Sequence, residues 1–117
     1  MHPDWLAVLA SRGATVAEGI VRDFGDAPRE RAATAGGSVI ADLSQYGLLI
    51  ADGADARTFL HAQLSCDVEG LADDAAVYGA YCTAKGRVLA NFLLWSEAGI
   101  FFMLLSRLLV FGIRKRL

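Results

Sequence analysis

A-Y-C-T-A-K-G-R-V-L-A-N-F-L-L-W, Ala80 to Trp95, reads as one strand end, a tight turn and a second, longer strand. Thr83-Ala84-Lys85-Gly86 is the turn, and Gly86 suits the positive φ that closes a short hairpin loop. From Arg87 the side chains alternate: Val88, Ala90, Phe92 and Leu94 face one way, Leu89, Asn91, Leu93 and Trp95 the other. Asn91 is, apart from the Trp95 indole, the only hydrogen-bonding side chain in that apolar run. A buried amide without a partner costs about 1–3 kcal/mol, so Asn91, set in this apolar strand, is expected to be a matched buried amide. Neighbouring backbone, a water or a ligand would each serve.

Working outward, Val77–Cys82 and Ile100–Leu105 are alternating runs separated from this stretch by short turns. The three runs predict a continuous antiparallel meander. Ser96 to Gly99 is the second turn. Upstream, Ser38–Leu43 and Leu48–Ala51 read as strands joined by a turn at Gln45-Tyr46-Gly47. Asp52-Gly53 ends the second of them. Asp55 begins a helix whose stripe is Ala56, Phe59, Leu60 and Leu64, with Gln63 beside it as a cap or a core amide bonded to backbone. Asp73-Asp74 is a solvated surface turn. From Ser106 the chain turns helical, with Leu109, Ile113 and Leu117 on one face and Arg107, Arg114, Lys115 and Arg116 on the basic side. It reaches Leu117 without a C-cap signal, which predicts that the natural sequence continues beyond it.

The amino-terminal third is simpler. Pro3–Ser11 is a short helix with Trp5, Val8 and Leu9 on one face, ended near Gly13. Thr15–Phe24 fits either a helix or a strand. Gly25–Gly37, with Pro28, mixed charges and a Gly-Gly, reads as a polar linker. The fold class is α+β, an antiparallel sheet with flanking helices. The expected organisation is a helix and linker over residues 1–37 and one domain over 38–117.

The bulk numbers exclude several functions. At 117 residues and a net charge of −2, the chain has no overall field that favours DNA or an anionic membrane. Gly99–Ile113 is apolar, but it is too short to span a bilayer and has Arg107 in its middle. The two cysteines, Cys66 and Cys82, are too few for a zinc site, and no phosphate loop is present. No signal peptide opens the sequence, so a reducing cytoplasm with both cysteines as thiols is expected. Cys82, near Lys85 and Arg87, reads as a buried strand cysteine, and His61 as a surface residue rather than a base. An apolar fraction of 55% exceeds what a domain of this size usually carries, which implies surface meant for contact with something else.

Two blocks, G-A-D-A-R-T-F-L-H-A-Q-L-S-C-D-V from Gly53 to Val68 and the Ala80–Trp95 stretch, together resemble the YgfZ-type folate-binding proteins. These are similar in fold to the tetrahydrofolate-dependent aminomethyltransferase of glycine cleavage. The resemblance implies an aminomethyltransferase-like domain, tetrahydrofolate as ligand, and a role in iron–sulphur enzyme assembly or repair and in tRNA modification, with iron–sulphur enzymes as partners. It places Tyr46 near the folate as an aromatic neighbour and Asn91 on a pterin edge, with Lys85, Arg87 and Gln63 as further candidates. In the aminomethyltransferases two adjacent aspartates fall where this chain has Ala90 and Asn91. An asparagine can bind a pterin edge but cannot hold a proton beside a developing iminium. The resemblance therefore implies binding and not catalysis by this chain. The rivals are a fragment of an aminomethyltransferase and a plain interaction module. The family's K-G-C-Y-x-G-Q-E motif and carboxyl-terminal barrel are not in this sequence, so the chain is expected to supply one wall of a folate site that its missing domains would complete.

Overall fold

The computed structural model describes residues 1–117, which divide into two compact units, Met1–Gln45 and Tyr46–Leu117.

The first unit has α1 (Pro3–Ser11), β1 (Thr15–Ala17), β2 (Ile20–Asp23) and α2 (Ala27–Gly36). Of the α1 face, only Leu9 is buried; Trp5 and Val8 are exposed. The Trp5 indole donates to Asp42 Oδ2 at 2.8 Å. The ambiguous Thr15–Phe24 segment is a hairpin, with Ala17 paired to Ile20. The stretch read as a linker is corrected: it folds into α2. The signal was local. Asp26 is the N-cap, accepting from the Arg29 N–H at 3.1 Å, and Pro28 sits in the first turn. Glu30 reaches back to accept from the N–H groups of Phe24 and Asp26 at 2.8 and 3.2 Å. The helix buries nothing, so caps rather than an apolar stripe specify it. Ser38–Leu43, expected as a strand, pairs with no other strand, and Ile40 is almost wholly exposed. Its alternation is real, but no partner strand meets it.

The second unit has β3 (Tyr46–Ala51), α3 (Ala56–Gln63), β4 (Ala76–Cys82), β5 (Val88–Glu97), β6 (Ile100–Ser106) and α4 (Arg107–Arg116). The sheet order is β3-β6-β5-β4, antiparallel throughout, so the expected meander β4-β5-β6 is present and β3 adds to its far edge. Tyr46 and Gly47 belong to β3 rather than to a turn, and Ser96 belongs to β5. The β5–β6 turn is only Ala98-Gly99, with φ of 50° and 82°, the two positive values a tight hairpin needs. At the β4–β5 turn Gly86 has φ of 79°, and Thr83 closes the loop by donating to the Arg87 carbonyl at 2.8 Å.

The alternation on β5 divides the sheet into two faces. Ala90, Phe92 and Leu94 join Phe101, Met103 and Leu105 of β6 in one buried cluster. Ala56 and Leu60 of α3, Ile113 of α4 and the loop residues Leu64, Val68 and Leu71 cover them. Each fully buried leucine stabilises the unit by about 1.5–3 kcal/mol before entropy is counted. On α4 the inward side is Val110, Ile113 and Leu117; Leu109, expected inward, is exposed, because the helix turns Val110 against Gly47 instead.

Candidate functional site

Asn91 lies between buried Ala90 and buried Phe92, so it points to the other face of the sheet, where it is exposed. This corrects the expectation of a buried amide. No desolvation cost acts on Asn91 within the chain, and its side chain makes no hydrogen bond there. Tyr46, also exposed, starts β3 on the same face: its neighbour Gly47 points inward against Val110. Tyr46 pairs with Ser106, and Phe92 pairs with Leu105, which puts Tyr46 and Asn91 at the same level of the sheet. They stand two strands apart, roughly 10 Å between backbones.

Lys85 and Arg87 lie in the β4–β5 turn, at the same end of the sheet. Gln63 ends α3 and is exposed, which corrects the expectation of a cap or core amide. Two residues on, the Ser65 N–H donates to the Ala80 carbonyl at 3.0 Å and the Ser65 hydroxyl accepts from the Ala80 N–H at 2.8 Å. Ala80 pairs with Asn91. The fold thus brings Tyr46 and Asn91 to one level of an open sheet face, with Lys85 and Arg87 in the turn at the same end of the sheet, whereas nothing joins Gln63 to them. The rest of this face is apolar: Leu48, Ile50 and Tyr78 are exposed, and Trp95 stacks on Phe102 with centroids 5.5 Å apart.

Sequence reasoning missed the groups that hold the other side together. Arg57 donates from one guanidinium nitrogen to the carbonyls of Val68, Leu71 and Glu69 at 2.8, 2.9 and 3.3 Å, and lies over the Phe101 ring at 5.1 Å. One turn later on α3, His61 Nδ1 accepts from the Val68 N–H at 3.3 Å and lies 3.5 Å from Asp67 Oδ1. The spacing of Arg57 and His61, four apart on one helix face, was the available signal. Asp73 lies in an exposed turn, as expected, but it also accepts at 2.7 Å from the hydroxyl of Ser96, which is fully buried. Cys66 packs beneath Gly79, and burial first, then the charge of Asp67, push its thiol above the usual range. No group of histidines, cysteines and acids is arranged to hold a metal ion, and no helix is long and apolar enough to cross a membrane.

An α+β unit with helices on one sheet face and a tyrosine and an asparagine on the other is the class this geometry defines. No family model matches the chain. Among curated proteins, the chain is 36% identical over 56 residues to the tRNA-modifying protein YgfZ of Aliivibrio fischeri, 48% of this chain and 18% of that protein. The YgfZ of Photobacterium profundum is 35% identical over 58 residues, 50% of this chain and 18% of its own. That of Colwellia psychrerythraea is 28% identical over 78 residues, 67% of this chain and 24% of its own. The matched segment thus spans about a fifth to a quarter of these relatives' length. Over that segment the chain is similar to YgfZ proteins.

Proposed function

We propose that this chain supplies one wall of a tetrahydrofolate-binding site in a YgfZ-type protein that serves tRNA modification through iron–sulphur enzymes in the cytoplasm. The observation that carries this reading is that Tyr46 and Asn91 stand exposed at one level of the open sheet face, with Lys85 and Arg87 in the turn at the same end. An exposed tyrosine ring offers a flat surface to a pterin or aminobenzoyl ring, about 0.5–1.5 kcal/mol beyond the area covered. An exposed amide can donate to and accept from the pterin edge without first giving up a protein partner. Lys85 and Arg87 can meet the carboxylates of the glutamate tail.

The aminomethyltransferase-like fold implied by the resemblance is part of the same proposal, without its reaction. Position 90, one of the two that carry aspartates in those enzymes, is here an alanine in the buried cluster. A carboxylate there would enter the buried apolar cluster rather than meet a ligand. Position 91 faces outward but has an amide that cannot hold a proton. Binding without methylene transfer is the chemistry left.

The test is titration of tetrahydrofolate into the isotope-labelled chain. The expected result is that amide resonance shifts cluster at Tyr46, Lys85, Arg87 and Asn91, and that Asn91→Ala weakens binding roughly five- to a hundred-fold. Shifts elsewhere, or equal affinities for wild type and Asn91→Ala, overturn the assignment.

A further inference from the structure

On the helical side of the sheet, opposite Tyr46 and Asn91, lies an apolar cavity of about 120 Å³. Leu49 of β3, Phe59 and Leu60 of α3, and Phe101 and Met103 of β6 form its walls, and Arg114 of α4 stands among them. Arg114 is the only charged side chain in the lining. It is exposed and forms no ion pair within the chain. No buried polar atom in the unit lacks a partner, so the walls ask nothing of a ligand but apolar contact.

From these features we propose that the cavity is a binding site for a small organic monocarboxylate with an apolar body. The chemistry sets both halves of the ligand. An enclosed apolar cavity of about 150 Å³ admits a single benzene-sized ring, so this smaller one, partly open to solvent, suits a ring or a short aliphatic chain with its polar end at the mouth. One guanidinium with two parallel N–H donors matches one carboxylate. A phosphate dianion would leave charge unmet at a mouth with a single cation. The ligand's body lies against Leu60, Phe101 and Met103, and its carboxylate stays at the rim, where Arg114 pairs with it and water still reaches it. This site does not depend on the folate reading, which concerns the opposite face.

Benzoate is the probe, and benzyl alcohol is its neutral counterpart of similar shape. Each is titrated into the isotope-labelled 117-residue chain while amide and methyl resonances are followed. Benzoate, with about nine non-hydrogen atoms, is expected to bind at about 10 mM or tighter, with shifts centred on Leu49, Leu60 and Met103. Benzyl alcohol is expected to shift the same resonances at about ten-fold weaker affinity. Arg114→Gln, a change on the exposed side of α4 that leaves the core intact, is expected to erase that difference, and Arg114→Lys to restore part of it. Ala51→Leu, which fills the cavity from β3, is expected to abolish binding of both probes. The proposal is overturned if benzoate shifts map elsewhere, or if neither probe shifts the cavity resonances. Retention of the full benzoate preference by Arg114→Gln also overturns it.

Discussion

The two faces of the one sheet in this protein are made from the same strands and differ in almost everything else. On the inner face the strand positions are apolar and either buried, as Phe92, Leu94, Phe101, Met103 and Leu105 are, or partly buried, as Leu49, Ala51 and Val77 are, and the buried Ser96 hydroxyl is tied to Asp73. On the outer face Tyr46, Leu48, Ile50, Tyr78 and Asn91 are exposed. The inner face is where burial stabilises the fold. The outer face contributes little to folding and leaves side chains free for a ligand or another surface. What the contrast teaches is that an unusually high apolar fraction need not mean a large core: here much of it lies on the face that the helices do not cover.

This contrast breaks most visibly at Leu94. It is fully buried, and Leu94→Ala is expected to cost about 2–5 kcal/mol in chemical denaturation, a loss that includes the cavity left behind. A cost under about 1 kcal/mol would mean the inner face is not a packed core. Gly79 probes how closely that face is packed. A Cβ there would lie 2.7 Å from both Cys66 Sγ and the Phe92 ring, so Gly79→Ala is expected to cost about 1–3 kcal/mol through overpacking. The outer face should behave in the opposite way: Asn91→Ala and Tyr78→Ser are each expected to change stability by no more than about 0.5 kcal/mol. A larger loss at either position would show that something in the folded chain leans on that face.

The smallest effect sharpens the comparison chemically. Burial raises the Cys66 thiol, so its thiolate is scarcer at neutral pH than an ordinary cysteine's. Cys66 is expected to alkylate with iodoacetamide more slowly in the native chain than in denaturant, and a native rate equal to the denatured one would contradict its packing beneath Gly79. In the first unit, pH reports on a different contact. Burial pulls the Asp42 carboxyl upward, but hydrogen bonds from Ser44 and the Trp5 indole outweigh it and hold it below the usual value. A lowered folded value gives stability that is present above the unfolded value and is lost as pH falls through the folded one. Trp5 fluorescence should therefore change on acidification below about pH 4, and Asp42→Asn should remove that change.

The meander was legible because period-2 alternation and short Gly turns are local signals, and Val77–Cys82, Arg87–Trp95 and Ile100–Leu105 each carried them within a few residues. Helix α1 was legible for the same reason, as were Ala56, Leu60 and Leu64 of the α3 stripe, but Phe59, read into that stripe, is exposed. Gly25–Gly37 reads as a linker from its Pro, charges and glycines, but the Asp26 and Glu30 caps, equally local signals, make it a helix. Ser38–Leu43 was misread because alternation says a segment can be a strand, and only a partner makes it one.

By itself the sequence determined the order of strands β4, β5 and β6, the side of β5 on which each residue falls, and the resemblance of two blocks to YgfZ-type proteins. Tertiary structure alone decided which of those sides is covered. Alternation is symmetric: it separates Asn91 from Ala90 and Phe92 without saying which set meets the helices. That choice was made by α3 and α4, whose Ala56, Leu60 and Ile113 pack over Phe92, Leu94, Phe101 and Leu105 and leave Asn91 and Tyr46 outside. The partners of Arg57, the tie between Ser96 and Asp73, and the cavity beside Arg114 were beyond sequence reading for the same reason. Each depends on residues far apart in the chain that meet only once the sheet is closed by its helices.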